Sequence, residues 1–133
     1  GILWLQGESD AKEKADYLAY DSRIRIMIDQ LRSDLREPEL PFIVCTIGSF
    51  INVERYFYTR KINDLLISLS QRISHTACVD ARDLEGHIGD RLHYSTDSQE
   101  EIGKRFASAF LNMKIESVTT ASYMTDGCVT QRE

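Results

Sequence analysis

No run of this sequence approaches the roughly 18 consecutive apolar residues that a membrane-spanning helix needs, so a membrane partner is not expected. Positive charge is scarce as well. The 16 Lys and Arg are outnumbered by 21 Asp and Glu, for a formal net charge of −5. With no basic patch to offset that balance, nucleic acid and anionic lipid surfaces are poor partners. The three cysteines, Cys45, Cys78 and Cys128, are odd in number and far apart, so no disulfide framework is indicated. Cys45 and Cys78 stand in apolar runs, where a small buried thiol is expected. No Gly-rich phosphate loop follows a strand-like run, no acidic cluster suits a phosphoacceptor, and no repeat or low-complexity tract breaks the chain. No signal-peptide pattern opens it, which carries no weight for a chain that begins inside a longer protein.

What is present is a globular composition. Of 133 residues, 42% are hydrophobic and 28% charged, enough for one domain with a real core. Residues 1–5 read as a short buried strand. Residues 16–36 switch to a helical period, with Tyr17, Tyr20, Ile24, Met27, Ile28, Leu31 and Leu35 recurring at threes and fours. Glu37-Pro38-Glu39 punctuates its end. Phe42 to Ile47 is continuous, apolar and β-branched, as in a strand covered on both faces. Residues 50–57 read either as a loop or as the start of the next helix. Ile62, Leu65, Leu66, Leu69 and Ile73 mark a helix ending near Ser74. Thr76 to Asp80 is a third strand, and Gly86 and Gly89 bracket a loop. Thr96 with Gln99 forms a candidate capping box for a last helix through Ile102, Phe106 and Phe110 to about Leu111. For residues 112–133, an added strand over Val118-Thr119-Thr120, a linker and a disordered end are all open.

Strand, helix, strand, helix, strand, helix predicts an α/β fold with a parallel sheet and right-handed crossovers. Ligands in such sheets bind beyond the C-terminal strand ends. The three most polar clusters follow the three strands: Gln6 to Asp10, Gly48-Ser49, and the loop from Asp83 to His93. All three gather at one edge.

Within that edge, Asp90-Arg91-Leu92-His93 sets a carboxylate three residues before an imidazole. A tight turn brings the acid to one ring nitrogen and leaves the other to take a proton, the base-and-orienter pair of acyl-transfer enzymes. Taken alone, the spacing is also that of an ordinary surface turn. His75 reads as a helix-end or surface group, and His87 as a second polar contact. His87, Asp90 and His93 are the best trio for a metal, the bare minimum of ligands, and acyl transfer explains them better. Gln6-Gly7-Glu8 has two readings. One is a helix entry with Ser9 or Asp10 as cap. In the other, Gln6 is an amide donor to an oxyanion, Gly7 permits close backbone approach, and Glu8 orients an imidazole or a loop. Trp4 either packs in the core or flanks a sugar ring.

Together, Trp4-Leu5-Gln6-Gly7-Glu8-Ser9-Asp10 resembles the W-x-Q-G-E-x-D block of carbohydrate esterases of the sialate O-acetylesterase and acetylxylan esterase type, within the SGNH (GDSL-like) hydrolases. Asp90 to Ser95 resembles their final D-x-x-H block, followed by an amphipathic helix. The resemblance spans about residues 1–111. It implies a flavodoxin-like three-layer α/β/α fold of about five parallel strands, and a Ser-His-acid esterase using no metal and no cofactor on an acetylated carbohydrate. His93 then matches the base, Asp90 the orienting acid, and Gln6 an oxyanion donor. Glu8 matches the glutamate of the block and shares or takes the acid role. The departure is the absent G-x-S block that carries the nucleophile. The expectation is therefore a C-terminal half whose first strands, and whose serine, lie on a missing N-terminal half or a companion chain, leaving an apolar parallel edge. Ser49, after Gly48 at a strand end, and Ser9 are the local substitutes, and neither has an activating base in sequence.

Two rivals stand beside the esterase: an inactive carbohydrate-binding or structural module built on an esterase fold, and a flavodoxin-like regulatory domain, which the missing phosphate loop disfavours. The esterase reading predicts activity that falls in acid as the His93 imidazole takes a proton. A rate profile that stays flat from about pH 5 to 8, where imidazoles commonly change charge, removes His93 as the base.

Overall fold

The computed structural model describes residues 1–126, those after Met113 by their backbone alone. Six elements alternate along it: β1 (Ile2–Trp4), α1 (Lys14–Leu35), β2 (Phe42–Cys45), α2 (Thr59–Leu69), β3 (Thr76–Val79) and α3 (Thr96–Asp126). The three strands form one parallel sheet in the order β1-β2-β3, the α/β architecture the alternation implies.

The centre is β2. All four of its residues are buried, because both faces are covered. Phe42 and Val44 point into a cluster with Tyr20, Ile24 and Ile28 of α1 and Ile62, Leu66 and Leu69 of α2. Ile43 and Cys45 point the other way, onto Val79, Tyr94, and Ile102 and Phe106 of α3. The continuous apolar run is the sequence's account of that double burial. Trp4 packs in the first cluster, its ring tilted on Phe42 with centroids 6.2 Å apart and its indole N–H 3.4 Å from the Tyr20 hydroxyl. The core reading of Trp4 therefore holds.

At the sheet's edge, β1 has β2 on one side and no strand on the other among the described residues. Leu3 is in register with Ile43, so it faces the α3 side, yet α3 packs over β3 and β2. Leu3 is consequently 56% exposed and Leu5 38%. The apolar edge is thus real.

Several boundaries differ from the sequence reading. α2 ends at Leu69, five residues before Ser74, while residues 50–57 are a loop, the first of the two readings. Ile73 still packs on the core, from the turn beyond the helix. The last helix is capped one residue earlier than the Thr96–Gln99 box: Ser95 Oγ accepts the Ser98 N–H at 3.4 Å, and Gln99 Nε2 donates to Tyr94 O at 3.0 Å. That helix also runs to Asp126, so the Val118-Thr119-Thr120 patch is helical, not a strand. β-branched residues disfavour helix by only a few tenths of a kcal/mol each, which an established helix overrides. Cys128 lies outside the described residues.

The β2–α2 connection is held by a residue the hydrophobic pattern does not flag. Asn63, buried on α2, accepts the Ile47 N–H at 2.8 Å and donates to Ile47 O at 2.9 Å. One amide satisfies both backbone groups of a buried residue that has left the ladder. Asn63→Ala strands both, and unsatisfied buried groups cost about 1–3 kcal/mol each. Urea unfolding is expected to show a loss of about 2–4 kcal/mol.

Candidate active site

The loop after β3 is built on Tyr94. Its ring is buried, with the hydroxyl 3.2 Å from Ala81 O and 3.4 Å from Thr46 O. This ties the loop to the C-terminal ends of β2 and β3. Burial chiefly raises the Tyr94 hydroxyl above its ordinary range, with Cys45, Glu8, Asp80 and Asp83 adding to it, so the phenol stays a neutral donor. Ile88 N–H donates to His93 O at 3.1 Å and Ser95 N–H to Gly86 O at 2.9 Å. The two bonds fold residues 86–95 into a small antiparallel turn. Phe50, from the β2–α2 loop, packs edge-on against Tyr94 and tilted against His87, both with centroids 5.1 Å apart. Gly48 leaves room for it, since a Cβ there falls 2.6 Å from the Phe50 ring.

At the tip of this turn Asp90 gathers three donors. Its Oδ1 accepts the Leu92 N–H at 2.9 Å and the His93 N–H at 3.0 Å, and its Oδ2 lies 2.5 Å from His93 Nδ1. Arg91 adopts the left-handed conformation, φ 52°, to close the turn, a conformation that a non-glycine residue takes at some energetic cost. A carboxylate only accepts, so Nδ1 carries the proton and Nε2 is left as the acceptor. The His93 side chain is 62% exposed. This is an imidazole whose tautomer is set by an acid and whose second nitrogen is open.

The Asp90 carboxyl is held down at about 2, first by the His93 backbone N–H, then by the His93 ring and the Leu92 N–H. An unperturbed aspartate titrates near 3.9. With its folded value depressed, Asp90 adds its stabilisation above that unfolded value and loses it as pH falls towards 2.

The other sequence candidates are distributed around the same edge. Gln6 and Glu8 follow β1. Gly7 has φ +154° and a Cβ there falls 2.8 Å from Ile62 Cγ2, so only glycine passes α2 at this point. Glu8 turns back to accept the Gly7 N–H at 3.0 Å, whereas Asp90 is the carboxylate in contact with His93. Gln6 donates from Nε2 to Asp10 at 2.9 Å. Neither Ser9 nor Asp10 caps α1, whose N-cap is Glu13. The Ser49 hydroxyl donates to Arg82 O at the rim of an open cavity of about 610 Å³, shared with Asp80, Arg82, Asp83 and Arg105. Both arginines there are paired with the aspartates, and no imidazole reaches the serine among those lining residues. His87 accepts the Gly89 N–H on Nδ1 at 2.9 Å, so it does not converge with Asp90 and His93. Among the described residues no three His, Cys, Asp or Glu side chains stand together as a metal set. His75 lies before β3, its carbonyl taken by Phe42 N–H and Arg32, at the edge opposite His93. Burial pushes both Cys45 and Cys78 up to about 12, so neither is a ready thiolate.

An acid-held imidazole and a tethered amide thus follow strands that end at one edge of a parallel sheet. The sequence profile of a family described as carbohydrate esterase, sialic acid-specific acetylesterase, matches residues 1–112. This chain belongs to that family. A probable carbohydrate esterase of Arabidopsis thaliana is 34% identical over 111 residues, 84% of this chain and 40% of that protein. The crystal structure of that same Arabidopsis thaliana protein superposes with a TM-score of 0.74 at 34% identity, covering 84% of this chain and 44% of that one. The chain thus spans less than half the length of that relative.

Sequence reasoning passed over Tyr94, Phe50 and Asn63, whose roles are contacts between distant segments. A phenol directly after the histidine was the one available signal for Tyr94. The Asp90 geometry is testable by carbon-13 NMR. Its carboxyl midpoint is expected near 2, and His93→Ala is expected to raise it only part-way to 3.9, since the backbone N–H bonds stay. A wild-type midpoint at the unperturbed value removes the turn described above.

Proposed function

We propose that this chain supplies the base, its orienting acid and an oxyanion donor to a carbohydrate O-acetylesterase whose nucleophilic serine lies outside it. The single observation that carries the reading is the 2.5 Å contact between Asp90 Oδ2 and His93 Nδ1 in a chain of a carbohydrate esterase family. The uncovered β1 edge, with Leu3 and Leu5 exposed, supports a serine-bearing segment or companion chain that adds a strand there.

The proposed reaction is acyl transfer. The serine hydroxyl attacks the acetyl carbonyl of the sugar ester and gives its proton to His93 Nε2. The carbonyl becomes an oxyanion, which accepts from the Gln6 amide and neighbouring backbone N–H groups. Asp90 holds the imidazole tautomer and stabilises the imidazolium. Collapse breaks the ester C–O bond, and the sugar oxygen leaves with the proton from His93. Water then attacks the acetyl-serine, with His93 again as base, and acetate departs. Glu8 stands apart from the imidazole in this scheme and stiffens the Gly7 turn. Ser49, bound to a backbone carbonyl, has no base to activate it.

The test is covalent labelling with a fluorophosphonate in a preparation containing this chain and whatever pairs with it, followed by peptide mapping. A serine other than Ser49 and Ser9 is expected to take the label. His93→Ala is expected to slow labelling by about 100-fold or more, in the range of a lost general base. Label on Ser49 or Ser9 overturns the placement of the nucleophile. No label in any preparation favours the inactive module, in which the sugar is bound and not cleaved.

A further inference from the structure

A donor that must meet a developing oxyanion is effective only when its orientation is set before the reaction. Gln6 has several freely rotating side-chain bonds, and without a partner its amide spreads over many rotamers. Its main chain is tethered at the root, where the buried Tyr20 hydroxyl donates to Gln6 O at 2.8 Å. Its tip is tethered separately, by Nε2 donating to Asp10 Oδ2 at 2.9 Å. Since a carboxylate only accepts, this contact also decides which end of the amide faces Asp10. One amide N–H goes to Asp10, and the second has no partner among the described residues.

Asp10 is brought there by the turn after β1. Ala11 N–H donates to Gly7 O at 3.0 Å, which wraps residues 7–11 so that position 10 returns over position 6. The Asp10 side chain is 18% exposed, and Arg23 lies 3.5 Å from its other oxygen while holding Asp16 at 3.1 Å. The order across the surface is therefore Arg23, Asp10, Gln6.

We propose that Asp10 is a positioning residue for the oxyanion hole, locking the Gln6 amide so that its second N–H is presented to the acyl oxygen. This rests on the esterase reading above. A carboxylate behind an oxyanion donor opposes the negative charge that forms in the transition state, and Arg23 on the far oxygen offsets that opposition. Glu8, spent on the Gly7 N–H, does not duplicate the contact.

Two readouts test it. The first needs no turnover: the side-chain amide pair of Gln6 in a proton–nitrogen spectrum of this chain, assigned by its loss in Gln6→Ala. Asp10→Ala is expected to shift and narrow the separation of the two amide protons while the backbone spectrum stays folded. Asp10→Asn, which keeps an acceptor oxygen, is expected to hold the separation. An amide pair unmoved by Asp10→Ala overturns the inference.

The second readout is steady-state kinetics on an acetylated sugar with the serine-bearing assembly. An oxyanion donor is worth about 100- to 1,000-fold in kcat. Asp10→Ala is expected to lose about 10- to 100-fold of that in kcat, with KM within about threefold. Asp10→Asn is expected to recover most of it, a rescue that a merely structural role does not give. If Gln6→Ala lowers kcat and Asp10→Ala does not, the positioning role is overturned and the esterase reading stands. If Gln6→Ala itself leaves kcat unchanged, the oxyanion role of Gln6 fails, and the positioning role fails with it.

Discussion

Burial of β2 on both faces is the constraint that organises this chain. A strand with no solvent-facing side needs helices above and below and strands alongside, and parallel neighbours are what helical crossovers deliver. Once β1 and β3 flank β2 in parallel, their C-terminal ends share one edge. The polar segments after all three strands must then meet there, whatever their distance in sequence. The polar edge is a consequence of how the apolar residues are covered.

On that edge, local chemistry does the fine work. His93 and Gln6 are each fixed from two directions. His93 is held by Asp90 through ring and backbone together, and the turn carrying both is anchored by Tyr94 to the carbonyls that end β2 and β3. Gln6 is held at its carbonyl by Tyr20 and at its amide by Asp10. Asn63 closes the middle connection by satisfying both backbone groups of Ile47. These anchors are uncharged or carboxylate groups that accept or donate in fixed directions, and they leave one nitrogen of His93 and one N–H of Gln6 uncommitted. The β1 edge is the counterpart in the fold: paired with β2 on one side and with no strand on the other among the described residues, with Leu3 and Leu5 partly exposed.

Much of this was legible in the sequence. Apolar periodicity placed all three helices, though it stopped the last at about Leu111 where the helix runs to Asp126, and the β-branched run from Phe42 marked the doubly covered strand. Element order alone put Gln6 and His93 on one edge, and the Asp-x-x-His spacing was short enough for a turn to bring acid and imidazole together. The errors cluster where tertiary packing competes with local preference. Ser95 displaced Thr96 as cap, since the Tyr94 anchor fixes where the helix begins. A continuing helix carried Val118-Thr119-Thr120 against their strand preference. Ser9 or Asp10 was one reading of the helix cap because such side chains near a helix start commonly are caps, and nothing in sequence shows that the chain turns back over Gln6.

By itself, then, the sequence determined the alternation of elements, the parallel sheet and the edge at which polar groups collect, because all three follow from short-range periodicity and connection length. The tertiary structure decided which carboxylate reaches the imidazole, that Asp10 grips Gln6 while Glu8 turns away, that Ser49 is bound to a carbonyl, and that β1 has one bare side. Those outcomes depend on the directions side chains take once the chain is folded, even between residues one to four apart, and a hydrogen bond is settled by direction and by tenths of an ångström, which no linear spacing encodes.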